Sequence, residues 1–222
     1  MQPTAPIDAV QAPAHEFFER ARTRLNRDVP AALTDASLPG VRGDLDLDPV
    51  QWEKAGVKAT KPAAVLVPVV ARAEPAILLT QRTPELRSHS GQIAFPGGKI
   101  DPMDETPLAA ALREAEEEIG LDAKFIDPIG YLDLYLTFSG FRILPLVAWI
   151  DPDYRLTINP VEVADTFEVP LKFLMQPDNH QFLKRDWKGI ERQYYAMPFG
   201  ERYIWGVTAG ILRNLYERIY AA

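Results

Sequence analysis

Between Pro107 and Gly120 apolar residues recur at helical spacing, so that Leu108, Ala111, Leu112, Ala115 and Ile119 share one face on a 3.6-residue period. The pattern predicts a helix lying on a core, with Thr106 as N-cap, Pro107 at the first helical position and a stop near Gly120. Glu114, Glu117 and Glu118 fall on the opposite side within roughly a 100° arc, because positions three and four apart are neighbours on a helix. A like-charged pair so placed costs only about 0.2–0.5 kcal/mol. Taken alone, the three glutamates therefore describe a solvated face.

The remaining pattern is mixed. His15–Asn26 reads as a helix with Phe17, Phe18, Ala21 and Leu25 on one face, and 29–60, rich in Pro, Gly and Asp, as ordered loop or short helices. Ala63–Val70 and Ala76–Thr80 read as adjacent strands, with Pro68 marking an edge or a bulge. Gly130–Leu136 and Phe141–Ile150 read as a hairpin closed by Thr137–Gly140, and Val161–Pro170 as a further strand followed by a helical turn over Leu171–Met175. Gln181–Phe182, Arg192–Met197 and Arg202–Trp205 suggest a late antiparallel set, and Val207–Tyr220 a closing amphipathic helix. Strands on both sides of a carboxylate helix, with helices at the ends, predict an α/β arrangement with a mixed sheet. Residues 1–13 read as a mobile tail, 14–60 as an N-terminal extension and 61–222 as the main domain.

At 222 residues the chain can bury a substantial core. Without cysteine it has no disulfide framework or thiolate metal site, and with no basic region before an apolar run at the start it reads as cytoplasmic. No apolar run is long enough to span a membrane as a helix. A formal charge of −7 argues against broad nucleic-acid affinity, so an anionic substrate must be met locally by a metal and a few basic residues. The apolar and aromatic residues of the last helix, Leu215, Tyr216 and Tyr220, suit a homodimer interface as well as a core.

A glycine-rich loop, Phe95-Pro96-Gly97-Gly98, precedes the carboxylate helix, and Arg113 opens the run Arg113-Glu114-Ala115-Glu116-Glu117-Glu118-Ile119-Gly120-Leu121. These residues resemble the Nudix hydrolase signature Gx5Ex7REUxEExGU, where U is aliphatic or small. The second half fits at every fixed position. The first half departs by one residue: counted from Gly98 the acidic position is Asp104, counted back from Arg113 it is Glu105. The departure reads as a one-residue insertion, and leaves open which acid fills the position. The resemblance implies a Nudix-type α/β/α sandwich over about residues 60–222.

Immediately upstream, Leu78-Leu79-Thr80-Gln81-Arg82 leads through Arg87 and Gly91 to Phe95-Pro96-Gly97-Gly98. This run resembles LLTxR[SA]x3Rx3Gx3FPGG, the pattern of the coenzyme A pyrophosphatase branch, with Thr83 in place of Ser or Ala. The resemblance implies cleavage of the CoA diphosphate to 4′-phosphopantetheine and adenosine 3′,5′-bisphosphate. Arg82 and Arg87 suit bidentate contact with phosphate oxygens, and Gly91, Gly97 and Gly98 allow tight turns or close backbone approach. His89 reads as a loop histidine at least as readily as a phosphate donor.

From the family resemblance Glu117 and Glu118 are expected to ligate Mg²⁺ or Mn²⁺, with the Gly97 carbonyl a further ligand, and Glu114 to be a ligand or general base. Arg113 is expected to orient a loop acid, Glu105 by the count from the arginine. A carboxylate from outside the box is expected too, with Glu162 preferred to Glu168 because it stands in a loop entering a strand. The rival substrates are ADP-ribose and NADH. The rival class is a non-catalytic nucleotide-binding regulator.

Overall fold

The structure is a computed structural model that describes residues 12–40, 42–86, 89–187 and 190–221. It opens with α1 (Ala12–Arg24), which begins and ends ahead of the predicted His15–Asn26, and a 3-10 turn at Ala31–Leu33. Next come β1 (Arg42–Gly43), α2 (Asp44–Leu47) and α3 (Pro49–Ala55), the last capped by the Asp48 carboxylate on Gln51 N–H at 3.2 Å. The central strands follow: β2 (Lys61–Val70), β3 (Ala76–Arg82), and the short β4 (Ile93–Ala94) and β5 (Gly97–Lys99). Helix α4 (Pro107–Ile119) leads to β6 (Ile126–Tyr131), β7 (Tyr135–Leu136), β8 (Phe141–Ile150) and β9 (Val163–Pro170). After the turn α5 (Leu171–Leu174) come β10 (Gln181–Trp187), β11 (Ile190–Phe199), β12 (Arg202–Trp205) and α6 (Val207–Tyr216), which runs on as a π-helical turn over Glu217–Ala221.

β2 runs parallel to β8 over its whole length, from Lys61 beside Phe141 to Val70 beside Ile150. Its other edge is shared antiparallel between β5, through Ala63–Val65, and β3, through Val69 and Val70. Pro68 therefore lies inside the sheet, against expectation. Leu66 N–H donates to Pro96 O on the β5 side, and Pro68, two residues on, points its ring nitrogen the same way, into the gap where β2 changes partner. A missing donor costs no ladder bond there. The predicted strand Gly130–Leu136 is two pieces, β6 and β7, both paired antiparallel with β8, and the Thr137–Gly140 turn closes the hairpin as expected.

Alternation along β2 and β3 fills two cores. Val67, Val69, Ile77 and Leu79 face α1, α6 and the three-stranded β10–β11–β12 sheet. Ala64, Leu66, Val70 and Leu78 face α4, where Ala110, Ala111, Ala115 and Ile119 are buried. The layers form the α/β/α sandwich. Leu215 lies wholly in the first of these cores, so it does not offer an interface; Tyr216 and Tyr220 are half-buried beside it. A third cluster joins the N-terminal extension to the sheet through Leu33, Ala59, Leu134, Leu136 and Leu144. Beside it, buried Arg142 of β8 donates to three main-chain carbonyls of the extension: Ala32, Leu38 at 2.9 Å and Ala59 at 3.3 Å. Among the described residues no helix is long and apolar enough to cross a membrane.

Candidate active site

Local signals set α4 as the sequence predicts. Thr106 accepts Ala109 N–H on its hydroxyl at 3.0 Å, Pro107 takes the first position, and Gly120 adopts the left-handed conformation at φ 65°. The last carbonyls of the helix are then taken from outside. Thr157 N–H donates to Ile119 O at 2.8 Å and Asn159 N–H to Glu118 O at 2.9 Å. The chain after β8 is thus fastened to the end of the carboxylate helix.

That same segment is fastened to the arginine motif by Thr83, the residue that departs from the family pattern. Its N–H donates to Glu162 O at 3.0 Å and its hydroxyl to Val161 O at 3.2 Å. Glu162 is thereby brought close enough for its charge to act on both Glu114 and Glu118. Glu168 faces elsewhere, held by Arg72 through two bonds of 2.6 Å and by the Tyr154 hydroxyl at 2.7 Å.

The backbone of β5 comes in close to the same two glutamates, Glu114 and Glu118. Gly97 N–H donates to Glu118 Oε2 at 3.2 Å. A Cβ at Gly97, whose φ is 145°, would lie 2.5 Å from Ala64 O, and one at Gly98 would lie 2.6 Å from the Glu114 carboxylate. Both glycines are there for close approach. Gly91 differs: its φ of 68° serves a turn, with open space where a side chain would be.

Arg113 gathers the acids. Its Nε and Nη2 each donate at 3.0 Å to the two oxygens of Asp104, its Nη1 reaches Glu114 and Glu117 at 3.0 Å, and Nη2 also bonds Lys99 O at 3.2 Å. The expectation of Glu105 is corrected here: Glu105 is exposed, and the fork closes on Asp104. Asp101 N–H donates to Asp104 Oδ2 at 2.8 Å, so a tight turn swings Asp104 under the helix and absorbs the extra residue. The hydrogen bonds from Arg113 hold the Asp104 carboxyl below its usual range.

Glu118 is the enclosed member of the trio at 3% exposure, while Glu114 is half-buried and Glu117 largely exposed. Burial pushes the Glu118 carboxyl up to about 7 against the pull of Gly97 N–H and Arg82, and Glu114 and Glu162 push it the same way as burial does. Glu114 is raised too, again chiefly by burial. Arg82 Nη1 stands 3.4 Å from Glu118 Oε1. Arg87 lies outside the described residues. His89, at φ 57°, bonds the Gln92 side chain at 2.7 Å.

The available donors are all oxygens: Glu114, Glu117, Glu118, Glu162 and the Gly97 carbonyl. Among the described residues no three acidic or imidazole side chains converge on one point, because Glu114 and Glu117 are turned onto Arg113 and Glu118 onto Gly97 and Arg82. The bond between Arg82 and Glu118 crosses from the first motif to the second, and motif counting gives no sign of it.

Residues 60–191 match the NUDIX domain family. The uncharacterized Nudix hydrolase NudL of Yersinia enterocolitica is 40% identical over 157 residues, covering 71% of this chain and 80% of that protein. Its namesake from Klebsiella pneumoniae is 41% identical over 159 residues, covering 72% and 83%. Among solved structures, the MutT/nudix family protein of Enterococcus faecalis aligns with a TM-score of 0.46 at 14% identity, over 72% of this chain and 62% of that one. By its domain match and these relatives, the chain belongs to the Nudix hydrolase family.

Proposed function

We propose that this Nudix hydrolase cleaves the diphosphate linkage of coenzyme A or a CoA derivative, releasing 4′-phosphopantetheine and adenosine 3′,5′-bisphosphate. One observation carries the reading. The run Leu78–Gly98, which resembles the CoA pyrophosphatase pattern, abuts the carboxylate helix in space as well as in sequence, with Arg82 on Glu118 and Gly97–Gly98 on Glu118 and Glu114.

Oxygen-only donors suit hard divalent ions, and the buried negative charge of Glu118 beside Glu114 and Glu162 exceeds what one guanidinium at 3.4 Å offsets. Glu114, Glu117, Glu118, Glu162 and the Gly97 carbonyl would hold Mg²⁺ or Mn²⁺. Bound there, the ion supplies charge neutralisation on the diphosphate and lowers the pKa of a water. The protein's own part is then orientation. Glu114, over the bare Cα of Gly98, accepts the proton of the attacking water. Arg113 keeps Glu114 and Glu117 aimed while Asp104 keeps Arg113 in place. Arg82 and Arg87 contact the phosphates, with Gly91 making the turn of the substrate-binding loop and Gly98 leaving room for the Glu114 carboxylate.

The test is product analysis after incubation with CoA and Mg²⁺, with ADP-ribose and NADH as parallel substrates. We expect the two CoA fragments and the highest kcat/KM for CoA. A higher kcat/KM for ADP-ribose or NADH overturns the substrate assignment, and CoA binding without any metal-dependent hydrolysis revives the non-catalytic regulator.

A further inference from the structure

Glu118 has two partners, one on each oxygen: Gly97 N–H on Oε2 at 3.2 Å and Arg82 Nη1 on Oε1 at 3.4 Å. Arg82 is the basic side chain paired with it among the described residues, since Arg113 is engaged by Asp104, Glu114 and Glu117. The arginine is incompletely satisfied where it sits. Its Nε is buried with no acceptor, which leaves a desolvated donor unpaired. It ends β3 at the register irregularity between Gln81 and Arg82, a break that re-aims the side chain while its N–H stays on Gln92 O at 2.9 Å. Arg82 is thus a long cation with an unpaired donor, at a break in strand register and beside the most enclosed acid of the site.

We propose that Arg82 is an internal counter-cation. It pairs with Glu118, competes with a divalent ion for that carboxylate, and turns to a substrate phosphate once the ion has taken its place. The inference rests on the metal-dependent reading above and adds an order of events: arginine release accompanies metal binding, so the phosphate-binding cation becomes free only in the metal-loaded site. Removing Arg82 deletes both a competitor for Glu118 and a positive charge beside the ion, and each change favours metal binding.

The test is Mn²⁺ titration of the whole chain, followed by the paramagnetic resonance signal of the free ion and requiring no turnover. Wild type is compared with Arg82→Met, Arg82→Gln and Arg82→Lys, each also placed in a Glu118→Gln background. Either neutral replacement should tighten Mn²⁺ binding by about tenfold, and Arg82→Lys should stay within about twofold of wild type. In the Glu118→Gln background the neutral replacements should tighten binding by no more than about threefold, the share of the missing charge alone, because the contested partner is gone. Unchanged or weaker binding in the neutral variants overturns the proposal, as does an equal tightening with Glu118→Gln present. Failure of the wild type itself to bind Mn²⁺ would overturn the metal-dependent reading along with it.

Discussion

Asp104 grips Arg113 with both carboxylate oxygens, Oδ1 on Nε and Oδ2 on Nη2, each at 3.0 Å. The same guanidinium bonds Glu114 and Glu117, so its orientation sets theirs. Asp104→Asn should therefore lower turnover by roughly 10–100-fold, the range seen when a group supporting metal ligands is removed. Glu105→Gln should leave turnover near wild type. Steady-state kinetics on the two variants decide the matter, and the reverse ranking would return the role to Glu105.

Adjacent glycines should fail in different ways. Alanine at Gly97 meets backbone, Ala64 O at 2.5 Å, at a φ of 145°, and should cost about 1–3 kcal/mol of stability. At Gly98 it meets the mobile end of Glu114, which can swing aside. Gly98→Ala should thus melt within a few degrees of wild type and yet lose most of its activity. Melting curves read beside kcat separate the two, and a Gly98→Ala protein with full activity would show that Glu114 tolerates displacement.

Thr83 fastens the Glu162 segment through its hydroxyl on Val161 O. Thr83→Ser keeps that bond and should behave as wild type. Thr83→Val keeps the shape and loses the donor, for about 1 kcal/mol in stability and a weakened Mg²⁺ dependence as Glu162 drifts. Equal Mg²⁺ half-saturation in the serine and valine variants would mean that Glu162 needs no such tether.

Asp44 gives a pH signature remote from the carboxylate helix α4. Burial raises its carboxyl from 3.8 to about 6, despite the Phe138 N–H donated to it at 2.6 Å. Between those values the unfolded chain has released a proton that the folded chain keeps, so stability falls as pH rises from about 4 to 6 and is level beyond. The loss is on the order of 3 kcal/mol, about 1.4 for each pKa unit. Asp44→Asn should abolish this component, and urea unfolding of both proteins from pH 4 to 7 isolates it as a difference. Parallel stability curves would contradict the raised carboxyl.

The legible parts of this chain are those whose signals are local. Thr106, Pro107 and Gly120 delimit α4 from within a few residues of its ends, and the glutamates on it follow from helical period alone. The β10 strand reads as only Gln181–Phe182 because Lys184, Arg185 and Asp186 break its apolar pattern, although the backbone continues paired to Trp187. Pro68 is misread for a different reason: whether a proline harms a strand depends on what lies opposite, and here that is the chain around Pro96, 28 residues further on (96 − 68). The acid under Arg113 is decided by a turn at Asp101–Asp104, which counting along the chain cannot see. Arg82 and Glu118 meet across 36 residues, and each has a sufficient explanation within its own motif.

Arg142 carries a consequence for anyone who trims this protein. The stretch that matches the family begins at residue 60, whereas the carbonyls that receive the Arg142 guanidinium belong to Ala32, Leu38 and Ala59. An excised 60–191 fragment would hold a cation stripped of its acceptors on a central strand. It would also lack α6, whose Leu212 and Leu215 complete one core. The boundaries of recognisable ancestry and of cooperative folding do not coincide in this chain, and a fragment cut at the first should be expressed only with the second in mind.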